Sequence, residues 1–345
     1  MITKISMGIA TLIGQVLAVW GRGVLMASLL VFGGIPARTV AQDLTKVRCG
    51  VITTASTAAL IVGAEKGIFK KYGFDVEVIP IATGVQASQA LASNQVDWSG
   101  GGIESTIVAW GTRLPFTAYA MYAKGGDAFG LLVRKDADIN RFEDLKGKRV
   151  AVTNGTALAQ ALSQVLLSVG LPGNAVQRVN ANLSNMGPML LQGSVDAMVG
   201  IEPFLTLAQE QIGDDGKILA RMGEYVQGGG FFSIADKWAQ AHPDKIQSAV
   251  EAMWEAEHYI RHHLDESADI VAKFIKAEPR LVKIAFSYYD FNPIIDDFTL
   301  QSAERTVKYL ASEGVVSDSI KVESYLDPAL RIGRALKTSR PELLQ

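Results

Sequence analysis

Thr153-Asn154-Gly155-Thr156, followed by the helix-forming run from Ala157, has the residue types needed to hold an anion. A strand end, a small polar loop and a helix start leave several backbone N–H groups without acceptors, and the helix dipole places positive partial charge behind them. Hydroxyls at Thr153 and Thr156 add donors. A sulfonate, carboxylate, nitrate or phosphate suits such a loop, although an ordinary helix cap has the same composition. Thr53 to Thr57 repeats the device after an earlier strand pattern, and the pairing favours a ligand site. Glu104 and Glu202 each follow a short apolar strand. A carboxylate there accepts from an ammonium, amide or ring N–H of a ligand, or forms a salt bridge. Pro203 also makes Glu202 a candidate helix cap. Trp98, Trp110, Phe129, Phe204, Phe231 and Phe232 are either walls of a cleft or core.

Signals for catalysis or metal binding are weak. His258 and His262 stand four apart on a helical pattern, but Glu255, Glu257, Arg261 and Asp265 around them read as a solvated face. No zinc-protease, phosphate-loop, nucleophile-elbow or dinucleotide motif is present in the sequence. No catalytic group, metal ligand or cofactor is therefore assigned.

The elements that position these residues occur twice. Leu91-Ala92-Ser93-Asn94-Gln95-Val96-Asp97 leading to Gly102-Ile103-Glu104 is echoed by Leu190-Leu191-Gln192-Gly193-Ser194-Val195-Asp196 leading to Gly200-Ile201-Glu202. Upstream, Val47-Arg48-Cys49-Gly50-Val51 and Arg149-Val150-Ala151-Val152 are a second pair of strands. Strands alternating with helical patterns predict an α/β fold with mostly parallel sheets. Glycine-rich breaks near 125 and 229 bracket the second unit, and from Pro243 the pattern is almost wholly helical. This order predicts a discontinuous first lobe, 42–126 and 233–345, and an inserted second lobe, 127–232, joined by a hinge of two crossovers.

Charged residues are 20% and the net charge is −2, so there is no basic footprint for nucleic acid. Lys4 and Arg22, an apolar run from Val24 to Ile35, Pro36 and Thr39-Val40-Ala41 read as a cleaved secretory signal over 1–41, with an uncleaved anchor as the alternative. The run is well short of the roughly 20 residues that span a bilayer. Cys49, the sole cysteine, makes no internal disulfide and is expected to be buried in a strand.

Phe69-Lys70-Lys71-Tyr72-Gly73 before a Val-x-Val strand, the two Val-Asp strands, Asp144-Leu145-Lys146-Gly147-Lys148 and Glu202-Pro203-Phe204 occur in an order that resembles the nitrate/taurine/sulfonate type of periplasmic solute-binding protein. The resemblance spans about 44 to 335. It implies a two-lobe, periplasmic-binding-protein-like fold of type II, a monomer in the periplasm that closes on a small anionic ligand and delivers it to an ABC permease. Carried over by position, it implies ligand contacts from Thr54 and Ser56, from Gln86, from Gly102 and Glu104, from Thr153, Asn154, Gly155 and Thr156, and from Glu202; Phe204 and Phe231 are candidate walls by their own place beside the cleft loop and the hinge. An alkanesulfonate or taurine-like ligand is expected. Nitrate, an aromatic acid or a pyrimidine precursor are the alternatives, as is a pyrimidine-biosynthesis enzyme of the same fold. Some relatives carry tryptophan before the acid-proline pair, where this chain has Ile201.

Overall fold

The computed structural model describes residues 44–345; the export segment expected at 1–41 lies outside them. Among the described residues ten strands form two five-stranded sheets. The first contains β1 (Thr45–Ile52), β2 (Phe74–Ile81), β3 (Trp98–Gly102) and β4 (Phe116–Ala123). The second contains β5 (Phe129–Arg134), β6 (Arg149–Val152), β7 (Gln177–Asn180), β8 (Ala197–Ile201) and β9 (Gly216–Arg221), after which β10 (Gly230–Ala235) returns to the first. Helices α1 (Ala58–Glu65), α2 (Ile68–Lys71), α3 (Gly84–Ala92) and α4 (Ile103–Gly111) alternate with the first strands, and α5 (Ala157–Ser168), α6 (Leu183–Leu191) and α7 (Phe204–Ile212) with those of the second sheet. After β10 come α8 (Asp236–Ala241), α9 (Ile246–His262), α10 (Leu264–Ile275), α11 (Pro279–Phe286), α12 (Asp297–Ser312) and α13 (Val322–Ser339). No helix among the described residues is long and apolar enough to cross a membrane.

The sheets share one topology. The strand orders are β2-β1-β3-β10-β4 and β7-β6-β8-β5-β9. In each, the first three strands are parallel and the fourth runs antiparallel to both of its neighbours. That fourth strand follows a crossover in both cases: β5 begins after the chain leaves β4, and β10 begins after it leaves β9. Gly230 to Phe232 pair with β3 and β4, so the return crossing ends before 230, a few residues earlier than the expected boundary at 232.

The sequence repeat becomes a repeated clasp. Arg48 and Asp97 in the first lobe, and Arg149 and Asp196 in the second, make the same contacts: backbone N–H to carboxylate at 2.9 and 2.8 Å, and guanidinium to the other carboxylate oxygen at 2.8 and 2.6 Å. Each guanidinium also donates to a carbonyl of the preceding turn, Asn94 or Gly193, both in the left-handed region with φ 57° and 72°. These clasps tie the entries of the parallel strands, which leaves the opposite, carboxyl ends to carry loops.

Two cores sandwich the first sheet. Along β1 the alternation buries Val47, Cys49 and Val51. On one side Trp98 is packed edge-on by Phe74 at 4.9 Å, Phe232 at 5.4 Å and Trp238 at 5.5 Å. On the other, Trp110 stacks between Phe231 and Tyr325 under α12 and α13. Trp98, Trp110, Phe129, Phe231 and Phe232 are all at most 4% exposed and belong to the packed interior. Phe231 is therefore core, not a cleft wall; successive residues of β10 face opposite sides of the sheet, and both sides are covered.

Candidate ligand site

The carboxyl ends of β1, β2 and β3 carry Thr53–Thr57, Thr83–Gln86 and Gly102–Thr106, and those of β6 and β8 carry Thr153–Thr156 and Glu202–Phe204. This is where open α/β sheets bind ligands. In the first lobe the Thr54 and Ser56 hydroxyls are 2.9 Å apart, with Ser56 buried. Gly84 packs on Ser105 so closely that a Cβ would lie 2.4 Å from its Oγ. Gln86 is exposed and lines a groove along edge strand β2 with Ile79, Pro80 and Gln89. The Gly102 carbonyl accepts from Ser105 Oγ at 3.0 Å and Thr106 Oγ1 at 2.9 Å, closing the turn into α4.

Glu104, in the first turn of α4, is 6% exposed and has no basic partner among the described residues. Burial pushes its carboxyl up to about 7. Two phenols share its surroundings. Tyr122 on β4 is buried, which raises its pKa, and the charge of Glu104 adds to the shift. Tyr289, in the extended segment between α11 and α12, is raised by burial and then by the neighbouring Tyr122 and Glu202. Its hydroxyl, set beside Ser56, makes no hydrogen bond among the described residues.

Glu202 is differently placed. Its peptide with Pro203 is cis, Pro203 precedes the first residue of α7, and Oε2 accepts the Thr206 N–H at 3.1 Å. Oε1 lies 2.8 Å from Arg221 Nη2, an ion pair without the alignment of a hydrogen bond. Arg221 also donates to the Asp127 carbonyl at 3.1 Å and lies 4.0 Å over the Tyr288 ring. Of the two roles expected for Glu202, a contact to a donor on the ligand and a salt bridge, the structure has the second: its charge is matched by Arg221. Phe204, half-buried, keeps surface at the start of α7.

The Thr153–Thr156 loop is open, with Gly155 at φ 70° and Asn154 exposed. Its hydroxyls are engaged internally: Thr153 Oγ1 donates to the Ala181 carbonyl and Thr156 Oγ1 to the Thr153 carbonyl, each at 2.7 Å. Thr156 Oγ1 in turn caps Leu158 N–H, and Asn154 N–H meets Asn180 Oδ1. The expectation of extra hydroxyl donors is thus corrected. The free donors are the N–H groups of Gly155, Thr156 and Ala157, which find no partner among the described residues. One turn on, Gln160 is buried and donates to Thr306 of α12 at 3.0 Å, so the start of α5 lies at the junction of the two lobes.

Tyr122, Arg221, Tyr288 and Tyr289 were not anticipated. Asn292-Pro293 after the tyrosine pair is the sequence sign of an irregular segment inside a stretch expected to be almost wholly helical.

Residues 54–277 match the family model described as NMT1/THI5 like. The chain belongs to the NMT1/THI5-like family. Among its relatives, a Bacillus subtilis (strain 168) protein named for aliphatic sulfonate binding is 26% identical over 317 residues, covering 89% of this chain and 94% of that one. The crystal structure of the periplasmic aliphatic sulphonate binding protein of Escherichia coli superposes with a TM-score of 0.72 at 18% identity, covering 83% of this chain and 99% of that one. A desulfurization enzyme superposes with a TM-score of 0.68 at 16% identity, covering 86% of this chain and all of that one, 100%. The two-lobe fold of the NMT1/THI5-like chain is thus shared by a binding protein and by an enzyme.

Proposed function

We propose that this chain is the extracytoplasmic solute-binding component of an ABC importer and that it captures a small organic anion, an alkanesulfonate or a close analogue, between its lobes. The observation that carries the reading is the set of unpaired N–H groups at Gly155, Thr156 and Ala157, at a helix start that meets the first lobe through Gln160 and Thr306. The anionic head lies on these N–H groups. Glu104 and the Tyr289 hydroxyl face the other end of the ligand, while Glu202 positions Arg221. Ligand contacts with both lobes exist only in the closed form, so binding shifts the hinge equilibrium, and the permease reads the closed surfaces. The relatives named for sulfonate binding support this choice of anion. The protein works as an exported monomer with a small molecule and a membrane permease as partners, and without nucleic acid.

The likeness to a desulfurization enzyme makes catalysis the second reading. Cys49 offers it no nucleophile, because the thiol is fully buried in β1 and burial raises its pKa. Calorimetric titration of the exported chain with butanesulfonate, nitrate, benzoate and an aminopyrimidine tests the proposal. Saturable binding of butanesulfonate at micromolar concentration is expected. Binding of the pyrimidine alone, or turnover of any of these compounds, overturns it.

A further inference from the structure

Glu210 and Arg280 sit at the wrong ends of their own helices. Glu210 lies in the last turn of α7, where the dipole disfavours an anion, and Arg280 is the second residue of α11, where it disfavours a cation. They meet each other. The guanidinium and carboxylate form a two-point contact, Nη1 to Oε1 at 2.6 Å and Nη2 to Oε2 at 3.0 Å, with Glu278 Oε2 a further 3.5 Å from Nη2. The helices belong to different lobes. α7 packs on β5, β8 and β9 of the second sheet, whereas α11 packs on the Ala55–Thr57 turn that leads from β1. Both side chains are about half exposed, at 43% and 54%, so neither is required by the interior of its lobe.

We propose that the Arg280–Glu210 pair is a positioning contact that holds the lobes closed and so sets ligand affinity from outside the cleft; its effect on affinity rests on the solute-binding reading above. The contact also sets Glu210 beside the N-terminus of α11 and Arg280 beside the C-terminus of α7, favourable charge–dipole pairings that opening the hinge removes, so it favours closure by more than its own attraction. Neither residue belongs to the ligand loops described above, and the pair therefore acts on release rather than on selection.

The test compares the wild-type chain with Arg280→Ala, Arg280→Glu, Glu210→Arg and the charge-swapped double variant. Two readouts are used: the butanesulfonate off-rate and the radius of gyration of the unliganded chain in solution. Arg280→Ala is expected to weaken affinity about two- to fivefold through the off-rate, and the charge reversals by about tenfold. The single variants should expand the unliganded chain, and the swap should fall between them and wild type. About 0.5 M NaCl should expand unliganded wild type towards unliganded Arg280→Ala and leave the radius of gyration of unliganded Arg280→Ala unchanged. A swap no better than the single reversals, or single variants that match wild type in both readouts, overturns the proposal. If wild type binds no anion, the solute-binding reading falls, and the scattering comparison still decides whether the pair holds the lobes together.

Discussion

Ala157→Pro isolates the anion cradle. Ala157 is the first residue of α5, and its N–H has no partner among the described residues, so proline removes no hydrogen bond from the unliganded chain. Proline is tolerated at this helical position. The preceding Thr156 is already extended, at φ −126° and ψ 170°, as a residue before proline prefers. The Thr156 cap on Leu158 N–H is untouched. Unfolding by urea should therefore change by no more than about 0.5 kcal/mol, the range of a neutral surface substitution. The liganded state loses a hydrogen bond to a charged group, worth about 1.5–3 kcal/mol. Affinity should fall about 10- to 100-fold, and the ring carbon in place of the hydrogen makes this a lower bound. Calorimetric titration with butanesulfonate measures the loss. Ala157→Gly, which keeps the N–H, should bind as wild type. If Ala157→Pro folds normally and binds butanesulfonate as tightly as wild type, the anion does not lie on this helix start.

Three further outcomes follow from the same geometry. Glu202→Gln leaves the partly buried Arg221 without its counter-ion, and a loss of about 2–3 kcal/mol is expected in urea unfolding, less than for a fully buried pair because Arg221 keeps some solvent. Glu104, raised by burial to about 7, holds a proton in the folded chain that it loses in the unfolded chain above its ordinary value near 4.5. Stability of the unliganded protein should therefore fall as pH rises from about 4.5 to 7 and level off above, by at most about 3 kcal/mol, and Glu104→Gln should flatten the profile. At Gly229, with φ 78°, a Cβ would lie 1.8 Å from the Ala123 carbonyl oxygen. Gly229→Ala should lower the thermal midpoint by several degrees and separate the crossovers, visible as faster amide exchange at Gly125, whose N–H bonds to the Gln227 carbonyl.

Much of the architecture was legible because it is written twice. The Val-Asp strands, the left-handed Asn94 and Gly193, and Arg48 and Arg149 are local patterns, and each lobe uses them in the same clasp. The loops at Thr53–Thr57 and Thr153–Thr156 were legible for the same reason. Their hydroxyls were misjudged because a tight loop must satisfy its own carbonyls first, as Thr156 does for Thr153. The partner of Glu202 is chosen by the fold: Arg221 reaches it from another strand of the second sheet, with nothing in the intervening sequence to link them. Tyr289 was hidden by a helical pattern on both sides, and the inward aromatic residues of β3 and β10 could not be told from cleft walls without knowing that both faces of the sheet are covered.

The strand order also fixes the sequence in which the two halves can mature. All five strands of the second sheet lie within one continuous stretch, 129–221, and can pair as soon as that stretch is available. The first sheet cannot. Its edge strand β4 touches no other strand until β10 arrives, and β10 must enter between β3 and β4 after the whole second lobe has been traversed. The half that begins the chain is therefore the half that finishes last, and the crossovers close only when that late strand is seated. Seating that strand therefore completes the first sheet, the hinge and the first-lobe side of the candidate ligand site in one step.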